Sequence, residues 1–149
     1  MAQDFHHIFH DVGTEEQIWH ALLNEHNLES ALSIDSKLGM HPHKGYEFRW
    51  IVDGQQIVGQ LGEIDTPGTS STHLIFLWRF DDRDLREIWP EGHFATTTLI
   101  LGDQYIDLKI TNIPGREEEQ NRSRKLWSDR IIERLSSYLR NKPELERAE

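Results

Sequence analysis

Nine histidines and 26 acidic side chains in 149 residues raise two chemistries at once, metal binding and acid–base catalysis. Spacing argues against the metal. His6, His7 and His10 crowd one short stretch, but on an extended strand His6 and His10 share a face and His7 takes the other. His41 and His43 flank Pro42 as a two-ligand clip. No third ligand follows at a fixed spacing, and no H-E-x-x-H pattern occurs. Serine chemistry fares no better: there is no G-x-S-x-G elbow, and Ser70-Ser71 reads as loop. The phosphate-cradling G-x-x-x-x-G-K-[ST] pattern is also missing. One local acid–imidazole pair stands out, Glu91 with His93, inside "WPEGHFATTTL" (89–99). As alternate residues of a strand they would share a face. The plainer alternative is a turn acid beside a rim histidine.

That stretch carries more aromatic surface than a turn requires. Pro90 in the second position and Gly92 in the fourth suit a type I turn opening at Trp89. Turn chemistry leaves Trp89 and Phe94 unexplained. Large aromatics beside a turn anchor a protein interface, or they cover an end of the core. The other indoles sit within regular elements. Trp50 and Trp78 fall on inward strand faces, and Trp19 and Trp127 fall on helices. Trp50, Trp78 and Trp127 are therefore candidates to line an apolar cavity between sheet and helix, or to fill it.

The elements that position these residues follow from periodicity. "FHHIFHDV" (5–12) reads as a strand. Thr14 and Gln17 form a T-x-x-Q capping box for a helix whose apolar face is Ile18, Trp19, Leu22 and Leu23. "NLESAL" is a short second helix, and a strand follows at 33–38. The period then becomes two: 46–52, with Tyr46, Phe48, Trp50 and Val52 on one face, an Asp53-Gly54 hairpin signal, and 55–64. Gly59 and Gly62 inside that last strand mark a bulge or a bend. Strands at 72–80, 92–101 and 104–113 complete the sheet, the last two joined at Gly102-Asp103. Pro114-Gly115 ends the pattern. A long helix at 117–141 buries Trp127, Ile131, Leu135, Tyr138 and Leu139. The fold class is α+β, a bent antiparallel sheet gripping its C-terminal helix. Residues 1–142 form one domain and 143–149 a charged tail.

Composition narrows the partners. The formal net charge of −10 repels nucleic acid and anionic membrane surfaces, so neither is an expected partner. A partner with a basic face remains open. The chain has no cysteine, which removes disulfides and thiolate chemistry. With no signal-peptide pattern and no membrane-length apolar run, a cytosolic location is expected.

Three segments together resemble a known family. "LWRF", a polar connection and "WPEGHFATTTL" look like the C-terminal domain of the activators of heat shock protein 90 ATPase, a helix-grip fold of the START-like superfamily. "VDGQQIVGQLGEI" is similar to that family's D-G-x-x-x-G hairpin. "ITNIPGREEEQNRSRKLW" is similar to its strand, proline and acidic helix start. The resemblance runs from about residue 5 to 141. It implies a co-chaperone and not an enzyme, one that binds heat shock protein 90 and favours its closed, ATPase-active state. The chaperone supplies the catalytic groups, and no cofactor is called for. Trp89, Glu91, His93 and Phe94 carry over as partner-binding candidates. Two departures are expected: an absent N-terminal activator domain, and a lengthened connection, "DDRDLREI" (81–88). The alternative on the same fold is a binder of a small apolar ligand held between sheet and C-terminal helix, around Trp50, Trp78 and Trp127. An enzyme on this fold would need polar groups converging in that space.

Overall fold

Thr14 opens the first helix as its capping box predicts. Its hydroxyl accepts the Gln17 N–H at 3.1 Å, and the Gln17 side chain accepts the Thr14 N–H at 3.0 Å. This detail comes from a computed structural model that describes residues 5–39, 41–65, 72–81, 89–90, 92–115 and 117–141. The chain runs β1 (Phe5–His10), α1 (Glu15–Leu23), α2 (Glu25–Leu32), β2 (Ile34–Ser36), β3 (Glu47–Val52), β4 (Gln55–Ile64), β5 (Thr72–Phe80), β6 (Ala95–Gly102) and β7 (Tyr105–Thr111). The C-terminal helix comprises α3 (Glu117–Lys125), a π-helical segment (Leu126–Ile132) and α4 (Glu133–Asn141). The expected tail, 143–149, lies outside the described residues, as does the 81–88 connection beyond Asp81.

All seven strands join one antiparallel sheet in the order β1-β7-β6-β5-β4-β3-β2. From β2 to β7 neighbours in sequence are neighbours in space. β1 alone closes over a long distance, pairing with β7 from Phe5↔Ile110 to His10↔Tyr105. Strand ends differ from the periodic reading. β2 is confined to three residues, and β6 starts at Ala95, leaving His93 and Phe94 in the preceding corner. The β6–β7 turn lies at Asp103-Gln104, one residue later than expected, because Gly102 still pairs with Tyr105.

Alternation sorts the two faces. Phe48, Trp50, Val52, Ile57, Leu61, Leu74, Phe76, Trp78, Leu99, Leu101, Ile106, Leu108 and Ile110 all face a single core. Two glycines in β4 let the sheet bend. A Cβ on Gly59 would stand 1.8 Å from the Leu77 carbonyl oxygen, so no side chain fits there without parting β4 from β5. A few residues on, beside Gly62, the β4–β5 register shifts between Leu61 and Ile64, the irregularity expected of strand glycines.

The C-terminal helix lies in that bend. The Trp127 ring meets Phe76, Trp78 and Trp50 at centroid distances of 5.3, 5.8 and 6.1 Å. The predicted stripe holds: Trp127, Ile131, Leu135 and Leu139 are buried and Tyr138 is half-buried. The π-helical turns widen the stripe, so Leu126 and Ile132 are buried as well. Two arginines fasten the helix to the β3–β4 turn. Arg134 donates to Asp53 Oδ2 at 2.8 Å and, through its other nitrogen, to the Leu32 carbonyl at 2.9 Å. Arg130 donates to the same Asp53 oxygen. Asp53 and Gly54 both adopt positive φ, 50° and 84°, as a two-residue hairpin turn requires.

The Arg134 and Arg130 hydrogen bonds hold the Asp53 carboxyl below its ordinary value of 3.8. A depressed carboxylate stabilises the fold above its unfolded pKa, and that contribution is lost as pH falls below 3.8 through the folded value. Because Asp53 is solvent-accessible, Asp53→Asn should cost less than about 1 kcal/mol at neutral pH. Urea melts of both proteins should differ at neutral pH and converge under acid.

Candidate partner-binding site

The corner between β5 and β6 divides its aromatics between inside and outside. Trp89 points in and is 1% exposed. Its ring packs against Trp78 at 5.4 Å and Phe80 at 5.6 Å, and its indole N–H donates to Glu119 Oε1 at 2.6 Å. Glu119, in the first turn of α3, is itself buried, with the Arg122 guanidinium 3.9 Å from its other oxygen. Trp89 is therefore not a partner-facing residue, contrary to the expectation from sequence. A buried carboxylate on the helix gives the indole N–H a partner within the fold, and the rings of β5 take its apolar face.

Side chains from three directions fix the backbone of the corner. The Arg79 guanidinium donates to the Pro90 carbonyl at 2.7 Å and also to the Trp89 carbonyl. His93 Nε2 lies 2.9 Å from the Asn112 carbonyl, and Asn112 Nδ2 donates to the Phe94 carbonyl at 2.9 Å. The turn is shifted by one residue from the expected one. The His93 N–H closes on the Pro90 carbonyl at 3.0 Å, with Gly92 third in the turn at φ 82°. That left-handed third position is a type II requirement, which explains the glycine better than a type I turn does. Glu91 lies outside the described residues. His93 precedes β6 and so does not lie on the strand expected for it.

Phe94 takes the opposite side. It is half-buried and lines a hollow of about 190 Å³ with Leu38, Glu47, Phe48, Arg49, Val58, Gly59 and Gln60. Glu47, Arg49, Val58 and Gln60 belong to the outward faces of β3 and β4, alternating with the core residues. Leu38 is 48% exposed. Leu77, the cross-strand partner of Gln60, is 36% exposed. The rim therefore combines apolar contact area with one acid, one guanidinium and one amide.

Trp50, Trp78 and Trp127 come together as the ring cluster between sheet and helix. Trp78 Nε1 donates to Thr97 Oγ1 at 2.7 Å. The indole nitrogens of Trp50 and Trp127 and the Ser123 hydroxyl are buried with no hydrogen-bond partner. The histidines take separate places. His6 Nε2 lies 2.5 Å from Asp107, and His41 and His43 pack against the Tyr46 ring. Among the described residues no group of three or more His, Asp or Glu side chains could hold a metal. No helix there is long and apolar enough to cross a membrane. Sequence reasoning missed Glu119, Arg79 and Asn112 because all three act across long sequence separations. The acidic opening of α3 marked Glu119 only as a favourable helix start.

No protein-family model matches this chain. In sequence it is similar to the human activator of 90 kDa heat shock protein ATPase homolog 1, with 39% identity over 54 residues. That match spans 34% of this chain and 14% of the human protein. In structure it is similar to an HSP90 activator from Plasmodium falciparum, with TM-score 0.68 and 18% identity over 91% of this chain and 95% of that one. A protein from Mesorhizobium loti aligns with TM-score 0.67 and 14% identity, covering 96% of this chain and 100% of its own. The AHSA1-like protein from Aeromonas hydrophila gives 0.61 and 15%, with 99% of each chain covered. The expected helix-grip fold is borne out, and the expected resemblance to an activator of this kind is found over 54 residues of sequence.

The inward role of Trp89 has a measurable consequence. Trp89→Ala should destabilise the protein by about 3 kcal/mol or more, as a large core truncation does. Glu119→Leu, which strands the buried indole N–H, should cost about 1–3 kcal/mol. Denaturant melts of the two variants would check both values, and a near-neutral Trp89→Ala would return that side chain to the surface.

Proposed function

We propose that this chain is a chaperone-binding module of the co-chaperone kind. It docks on heat shock protein 90 through the rim around Phe94 and favours the chaperone's closed, ATPase-active state. The observation that carries this reading is the divided corner. The signature stretch spends Trp89 on the core yet presents Phe94 in one hollow with exposed Leu38. An aromatic anchor with an apolar surround and a polar rim is the usual composition of a binding hot spot. Likeness to a human activator of this chaperone and to a Plasmodium activator structure supports the choice of partner.

The mechanism is a population shift. A module that binds the closed chaperone better than the open one raises the closed fraction by the ratio of the two affinities. It performs no chemistry itself on this reading. Glu119 of α3 holds Trp89 and His93 of the corner bonds the Asn112 carbonyl, so both serve the fold.

A second reading has one specific observation behind it. Two indole donors and the Ser123 hydroxyl stand unpartnered in the sheet–helix interior, which favours a small, largely apolar ligand carrying an acceptor. Native mass spectrometry of purified protein would show it as a retained mass.

The deciding experiment is binding to the host's heat shock protein 90, with and without a non-hydrolysable ATP analogue, alongside the chaperone's ATPase rate. Tighter binding to the nucleotide-closed state is expected. Phe94→Ala and Leu38→Asp should each weaken it by about 1–3 kcal/mol while melting close to wild type. Absence of binding in both states would reject the co-chaperone reading.

A further inference from the structure

The sheet ends in two strands, β1 and β2, and they are built differently. β2 is three residues long and carries Asp35, whose carboxylate meets Lys37 at 3.2 Å. A short, charged strand is a usual guard against edge-to-edge pairing. β1 is six residues long, and all six pair with β7. Its sequence, Phe5-His6-His7-Ile8-Phe9-His10, holds no Asp, Glu, Lys or Arg. Of the other strands only β6 is equally free of them, and β6 is covered on both sides by β5 and β7. Among the described residues no strand pairs with the far side of β1. In an antiparallel ladder alternate residues turn their N–H and C=O groups away from the partner strand, so β1 presents a row of backbone donors and acceptors there.

The side chains of β1 form two rows. Phe5, His7 and Phe9 stand opposite Ile110, Leu108 and Ile106 of β7, on the core side of the sheet. The His7 ring lies 6.4 Å from Phe5 and 4.6 Å from Phe9, and both phenylalanines are half-buried. His6, Ile8 and His10 take the outer face, opposite Lys109, Asp107 and Tyr105. Ile8 is exposed, and the Asp107 carboxylate is taken up by His6 at 2.5 Å. The core-side row, Phe5-His7-Phe9, reads the same in both directions. Laid antiparallel on a second copy with His7 on the two-fold axis, Phe5 meets Phe9 of that copy and Phe9 meets its Phe5. On the outer face His6 meets Ile8 of the second copy. Rings then face rings and no acid faces an acid. A contact between two identical surfaces requires this self-complementarity, whereas capture of an unrelated peptide does not. Two chains of formal net charge −10 repel each other, so a strand free of carboxylates is where they can approach.

We propose that two copies of this chain pair antiparallel through their β1 edges, joining their sheets into one. The contact stands independently of the chaperone reading, since the hollow beside Phe94 lies over β3 and β4, across the sheet. A seam of one six-residue strand per copy is smaller than the interface of a permanent dimer, so association depends on concentration. Sedimentation equilibrium of the full chain at neutral pH, from low micromolar to near-millimolar concentration, should show monomer and dimer in exchange. His7→Lys sets two like charges opposite each other on the axis, and Ile8→Lys guards the outer row. Each should raise the dissociation constant at least about tenfold with the circular dichroism spectrum unchanged. Leu38→Asp, at the hollow, should leave it within about twofold. Hydrogen exchange on the wild type reads the seam without any substitution: alternate β1 amides should exchange more slowly at high concentration than at low. The proposal is overturned if the wild type stays monomeric throughout, or if β1 amides exchange alike at both concentrations. Loss of the dimer in Leu38→Asp but not in His7→Lys would place the contact at the hollow and overturn it too. Growth beyond two copies would mean a head-to-tail contact, with the same consequence.

Discussion

Trp127 rests on Trp50, Phe76 and Trp78, and most of the architecture exists to make that contact. An indole on a helix can reach three rings on a sheet only if the sheet curves towards it. The curvature is allowed at Gly59, where β4 and β5 approach too closely for a side chain. Once the rings meet, helix and sheet share one core, and aromatic area supplies what a modest apolar fraction otherwise lacks. The π-helical turns belong to the same constraint. They begin at Leu126 and rotate Leu126, Ile131 and Ile132 inward around the indole.

The β5–β6 corner uses this core as a foundation. Trp89 extends the ring cluster past Phe80, and Glu119 ties it to the helix. Arg79 and Asn112 then fix the backbone that carries Phe94. A recognition residue on an untethered corner would bind at the cost of ordering the loop. Here the cost is met during folding, and the rim is offered in one geometry. On the proposed chaperone-binding reading, this division lets one short stretch serve both stability and recognition without the same side chain serving both.

Charge is arranged with similar separation. The acidic chain concentrates cations along the C-terminal helix. Arg134 and Arg130 close on the β3–β4 turn, and Arg122 leans on Phe80. These pairs do less for stability than the rings do, since they lie near solvent. They set where the helix sits along the bent sheet.

Periodicity in the sequence determined the elements: the capped first helix, the alternating strands, the Asp53-Gly54 turn and the buried stripe of the last helix. These depend on residues a few positions apart, and local sterics and the two helical and strand repeats govern such spacings. The resemblance in "WPEGHFATTTL" pointed to the family and to the corner. Tertiary structure alone decided the rest. β1 pairs with β7 across a hundred residues, Trp89 turns to Glu119 and leaves the rim to Phe94, and Trp127 comes to rest on Trp50, Phe76 and Trp78. No local pattern encodes these choices. Each is settled by which distant group completes a buried hydrogen bond or fills the space beside a ring, and that exists only after the chain has closed on itself.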